Sequence, residues 1–153
     1  MRGNLFSYTY LLSNAGAVLI LLISIWSKRA GHIIIALMFL VAAVVNAVQA
    51  IYTPHKYDIY ELVAALPVYE YLISNVFLIH ITLYILLMMV FQLVVGIGVL
   101  YQKKAALLAA IVYLLALAPL GAGSSFPSTV ILAVACLILM KKNHHQPGTL
   151  PGR

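Results

Sequence analysis

Four side chains capable of chemistry recur at four-residue intervals: His80, Tyr84, Met88 and Gln92, with Gly96 continuing the row. In a helix this spacing places them on one face. A histidine can ligate haem or copper, and a methionine thioether is a soft companion for copper. Met88, however, lies two turns from His80, roughly 12 Å along a helix axis, too far for one metal ion. Haem would need a second axial ligand from another helix. His32 is the only other histidine inside an apolar run, and it belongs to the opposite end of the bundle. A quinone headgroup held by His80 and Tyr84 is the remaining cofactor reading. No carboxylate lies inside any apolar run to orient an imidazole. The expectation is therefore that no haem, copper or quinone is bound. His80, Asn14, Asn46, Gln49 and Gln92 should instead hydrogen-bond between helices, at about 1 kcal/mol each.

The elements that carry these residues are apolar runs. Of the 153 residues, 65% are hydrophobic and only 8% charged. A soluble domain carries about 25% charge, so the chain is expected to be an all-α integral membrane protein. Its length allows one bundle and no second domain. The runs cover 8–26, 32–52, 72–101, 105–120 and 126–140, and a polar tail from 143 to 153 should lack packed structure. A ~30 Å hydrocarbon core needs about 20 helical residues. The third run is long and should tilt or protrude. The last two are short, and could be two thin spans or a re-entrant hairpin.

Charge arbitrates. The pairs Lys28–Arg29, Lys103–Lys104 and Lys141–Lys142 all fall on one side if there are five spans, and all three carboxylates on the other. That is the positive-inside pattern, with the N-terminus outside the cell (inner) membrane and the C-terminus cytoplasmic. The net charge of +6 is thereby read as a topology signal, not as a nucleic-acid surface. Lipid is a partner by this reading.

The stretch 52–71, YTPHKYDIYELVAALPVYEY, holds Asp58, Glu61, Glu70 and five of the ten tyrosines. Asp58 and Glu61 have capping-box spacing, and Ile59, Leu62, Val63 and Leu66 recur on one face. A short amphipathic helix over 58–66 is expected on the outer surface. Asp58, Glu61, Leu62, Leu66 and Tyr69 would form a docking surface for a partner. Tyr8, Tyr10, Tyr52, Tyr57, Tyr60, Tyr69 and Tyr71 would form an outer belt, because phenols prefer the headgroup boundary. Cys136 is read as a small buried hydrophobe, and His144–His145 as part of a solvated tail.

No mid-run carboxylate, mid-run lysine, HExxH, GxSxG or P-loop occurs. These absences argue against a proton-coupled carrier, a retinal Schiff base and the common hydrolases. Rows such as Ala43–Ala47 and Ala106–Ala110 offer close-packing faces. The leading expectation is a small non-catalytic accessory subunit packed against larger integral membrane subunits, such as those of a respiratory oxidase or membrane monooxygenase. The alternatives are a small-solute transporter or channel lined by Asn14, Asn46, Gln49 and Gln92, and a haem- or quinone-binding redox subunit.

Overall fold

Each apolar run is free to fold as helix because the prolines stand between runs or at their ends, not within them. The computed structural model describes residues 8–58, 60–61, 64–120 and 126–144. Helix α1 spans Tyr8–Trp26 and α2 spans Lys28–Tyr52. Only Ser27 separates them. Its backbone is extended and its hydroxyl accepts the Ala30 N–H at 3.3 Å, an N-cap that lets α2 begin at the basic pair, before His32. After Thr53 a 3-10 turn covers Pro54–Tyr57. Helix α3, Pro67–Leu72, begins with proline at its first position. It passes through a wider π turn at Ile73–Phe77 and a 3-10 turn at Leu78–His80 into α4, Ile81–Leu100. Helix α5 is Lys104–Leu117, tightening into 3-10 geometry at Ala118–Leu120, and α6 is Ser128–His144. All regular structure among the described residues is helical.

Contacts at the two ends fix how the helices run. At the basic end, the Lys142 ammonium donates to the carbonyls of Ser24, at 3.0 Å, and of Ile25. A cation there satisfies orphan acceptors at the C-terminus of α1 and complements its dipole. Asn143 Nδ2 donates to the Gln102 carbonyl at 3.3 Å. Gln102 itself is left-handed, with φ 56°. Its N–H reaches Val99 O at 2.9 Å and the Lys103 N–H reaches Gly98 O at 3.0 Å, a Schellman closure of α4. At the other end, the acidic end, Ala65 N–H donates to Pro119 O at 2.9 Å and Tyr69 OH to Ala116 O at 3.0 Å. So α5 runs from the basic end to the acidic end.

Helix α6 packs between α1 and α5 and also touches α2, while α2 lies along α4. Ile35, Phe39, Val99, Leu107, Cys136 and Leu139 fill the core between them. Small residues set the closest approaches. A Cβ on Gly31 would stand 2.9 Å from Leu139 Cδ2, 2.9 Å from Ser24 Oγ and 3.0 Å from Ser24 Cα. A Cβ on Gly96 would meet Leu40 at 3.1 Å and the Ala36 carbonyl at 3.2 Å. Gly16 is the opposite case, with nothing within 4 Å. The outside of the bundle is apolar: Leu12, Val41, Leu83, Val94 and Val112 are all exposed. Two helices, Lys28–Tyr52 and the continuous Pro67–Leu100, are long and apolar enough to cross a membrane.

Several expectations need correction. The third helix begins at Pro67, not residue 72, and is interrupted by two successive irregular turns, at Ile73–Phe77 and Leu78–His80. Helix α6 continues past residue 140 through Lys141–Lys142, so Asn143 and His144 belong to it and not to a loose tail; residues 145–153 lie outside the described residues. Of the surface helix over 58–66, Tyr60 and Glu61 are helical, Ala64–Leu66 are not, and Ile59, Leu62 and Val63 lie outside the described residues. Glu61 does not cap that helix with its side chain; its Oε1 accepts the Ser74 hydroxyl at 2.7 Å. The tyrosine belt is incomplete. Tyr8, Tyr52 and Tyr71 are exposed, but Tyr57 is buried at 7% exposure and turns inward.

Gly31→Ala should therefore destabilise the protein by about 1–3 kcal/mol, because the contact it meets includes backbone. Gly16→Ala should be neutral or slightly stabilising, since Ala is the better helix former and meets no atom. Thermal unfolding of both variants in detergent checks this pair.

Candidate functional site

Polar side chains on three different helices and one turn meet in a chain. Tyr57 OH, on the turn after α2, donates to Asn46 Oδ1 at 2.6 Å. Asn46 Nδ2, on α2, donates to Gln92 Oε1 at 2.8 Å. Gln92 Nε2, on α4, donates to Tyr113 OH at 2.7 Å, on α5. Each link answers a cost: an amide left without a partner in apolar surroundings loses about 1–3 kcal/mol. Burial pushes the Tyr57 phenol up to about 12, with the neighbouring Tyr60 as the lesser cause. Burial raises Tyr60 as well. Tyr57 therefore stays protonated, and remains a donor, at neutral pH.

The chain lines a cavity of about 940 Å³. Gly16 and Ile20 of α1, Met38 and Ala42 of α2, and Phe77 and Met88 on the α3–α4 side are among its walls. No charged side chain lines it among the described residues. Leu19, Val41 and Leu72 line it and are also exposed on the bundle surface, so it opens sideways. A groove of about 440 Å³ between α4 and α5 shares Phe77, Tyr84, Met88 and Tyr113 with it, making these side chains a partition. Rings gather at this partition. Phe77 stacks on Tyr84 with centroids 5.9 Å apart, and Phe91 and Phe39 flank Tyr113 at 5.2 and 6.0 Å.

The row read from the sequence is only partly kept. Tyr84, Met88 and Gln92 face the same cavity. His80 does not. The 3-10 turn ends on it, its backbone leaves helical geometry at φ −131°, ψ 47°, and its side chain is exposed. His80 lines neither the cavity nor the groove that Tyr84 lines. His32 is buried at the basic end, where its Nδ1–H donates to Lys28 O at 2.7 Å and Nε2 faces Asn143 Nδ2 at 3.4 Å. Among the described residues no three His, Cys, Asp or Glu side chains group to hold a metal.

Of the polar set expected to line a solute path, only Asn46 and Gln92 come together. Asn14 Nδ2 donates back to Tyr10 O at 2.8 Å on its own helix, and Gln49 is not in the cavity wall. Of the expected docking surface, Glu61 is held by Ser74 and Tyr69 by Ala116. Asp58 remains exposed, 3.5 Å from the His55 ring, and Leu66 is exposed too; Leu62 lies outside the described residues. Sequence reasoning missed Tyr113. The available signal was a phenol in the middle of an apolar run, far from any boundary, where its hydroxyl must find a partner.

Comparison with family models, curated proteins and solved structures finds no match to this chain.

Gln92→Leu should strand both Asn46 and the Tyr113 hydroxyl and cost about 1–3 kcal/mol. His80→Gln, exposed and outside the cavity, should cost under about 1 kcal/mol and leave metal content unchanged. Unfolding midpoints and elemental analysis of the purified variants test the contrast.

Proposed function

We propose that the chain is a five-span, non-catalytic membrane protein that holds one lipophilic molecule in its lateral cavity, as an accessory subunit of a larger membrane assembly. The cavity carries this reading: apolar walls, no charged lining residue among those described, a sideways opening and a polar floor. Binding sites for small lipophiles have this make-up, mostly apolar with a few placed polar groups. The inverted exterior supports the membrane setting, because exposed leucines and valines cover the bundle where a soluble protein would carry charge. The run of α5 from the basic end to the acidic end favours two full spans over a re-entrant hairpin. With the basic pairs cytoplasmic, the cavity opens in the outer leaflet.

The Tyr57–Asn46–Gln92–Tyr113 chain contains no nucleophile activated by a base and no carboxylate, which is why the role assigned is holding and not conversion. A solute channel is the weaker reading, because Asn14 and Gln49 do not extend the polar floor into a path.

Two measurements test the proposal. A cysteine replacing Phe126 should be labelled by an impermeant reagent from outside intact cells, and one replacing Gln102 only after lysis. Native mass spectrometry of the gently solubilised chain should show one bound lipophile. Gly16→Trp, which adds bulk where no atom lies within 4 Å, should remove it while the fold survives. A ligand-free wild type would end the cavity reading.

A further inference from the structure

The hydrogen-bond chain leaves one proton unspent. Tyr57 donates, both amides relay, and Tyr113 accepts from Gln92 Nε2. Tyr113 keeps its own O–H, which donates to no acceptor among the described residues. The count survives reversal. If both amides flip together, Tyr113 donates to Gln92 and the free O–H passes to Tyr57. Either way one phenol facing the cavity is a donor in search of an acceptor, and both phenols line that cavity.

The donor sits deep. Asn46 lies six residues before the end of α2 at Tyr52, roughly 9 Å along its axis. A diacyl lipid keeps its ester carbonyls at the headgroup boundary, and drawing them to this depth would pull its polar head into apolar surroundings. A flat neutral ring with its own carbonyl has no such cost. Phe77, Tyr84 and Tyr113 line the same cavity, so an aromatic ring seated there would meet aromatic side chains, and the sideways opening leaves room for an apolar tail.

Resting on the cavity reading above, we infer that the occupant is an alkylated quinone, seated with a ring carbonyl on the free Tyr113 or Tyr57 hydroxyl and its tail toward the lipid-facing opening. Gln92 and Asn46 position the two phenols and do not touch the ring in this scheme. The site is distinct from His80.

The test is equilibrium dialysis of the full chain in nanodiscs against three probes: a decyl-substituted benzoquinone, decylbenzene and a neutral diacylglycerol. Wild type should take up one equivalent of the quinone, about tenfold more tightly than decylbenzene, the increment of one hydrogen bond to a buried donor. A single Tyr→Phe change lets the relay reverse and expose the other phenol, so the informative variant carries Tyr57→Phe and Tyr113→Phe together. It should bind the two aromatic probes within about twofold of each other. Should that variant fail to fold, the bound quinone's carbonyl stretch in wild type decides the matter. It should lie at lower frequency than in empty nanodiscs, and an unshifted band overturns the inference. Equal affinity of wild type for quinone and decylbenzene, with both lost in Gly16→Trp, would overturn the carbonyl assignment and leave the cavity reading standing. Diacylglycerol binding as tightly as quinone would overturn the choice of ligand class. Binding of none of the three would overturn both readings.

Discussion

These helices are apolar on their outer faces as well as their inner ones, so apolarity alone does not tell a helix which neighbour to choose, and the other features follow from how closely the helices approach. Contact depends on how near two backbones can come, which small residues decide. Gly31 brings α2 against Ser24 of α1 and Leu139 of α6 at the basic end. Gly96 brings α4 against the Ala36 carbonyl of α2. Ala43, Ala110 and Ala135 are fully buried at other crossings. Helices α1 and α2 are pinned where they join at Ser27. Farther along α1, Gly16 faces open space. Gly16 is part of the cavity wall.

Polar groups are settled in two ways. Some turn back on their own helix, as Ser24 Oγ does to Ile20 O at 2.8 Å and Asn14 to Tyr10. Those bonds remove a cost without choosing a partner helix. The chain through Asn46 and Gln92 is different, because each amide bonds across helices and ties α2, α4, α5 and the turn after α2 into one register. Its two ends are phenols, and its polarity leaves one donor unspent. Because its bonds cross between helices, the network fixes which helices are neighbours even though one of its phenols keeps a free donor.

The basic end combines charge with geometry. Lys142 closes the C-terminus of α1, Ser27 caps α2, and the left-handed Gln102 closes α4. Three helix ends are thus satisfied within a small region, next to the basic pairs Lys28–Arg29, Lys103–Lys104 and Lys141–Lys142. The break at Ile73–His80 has the reverse effect. It re-aims the start of α4, puts Phe77 and Tyr84 into the cavity wall, and turns His80 away from it.

The sequence by itself determined the helical class, because apolar runs punctuated by Pro, Gly and charge pairs allow little else. Helix α1 ends at Trp26 as its run does, and α2 ends at Tyr52 as expected. Gln92 and Asn46 were legible as polar residues needing partners, but not as each other's partner. Their bond joins positions 46 residues apart, and no local period encodes such a distance. Regular four-residue spacing from His80 to Gln92 presupposed an unbroken helix, and the turns at Ile73–His80 removed that premise. Tyr57 looked like a boundary residue by composition, yet the turn at Pro54–Tyr57 folds it under the bundle. Only tertiary structure could decide these points: helix periodicity says which residues share a face, whereas the facing partner depends on where the small residues let other helices come close.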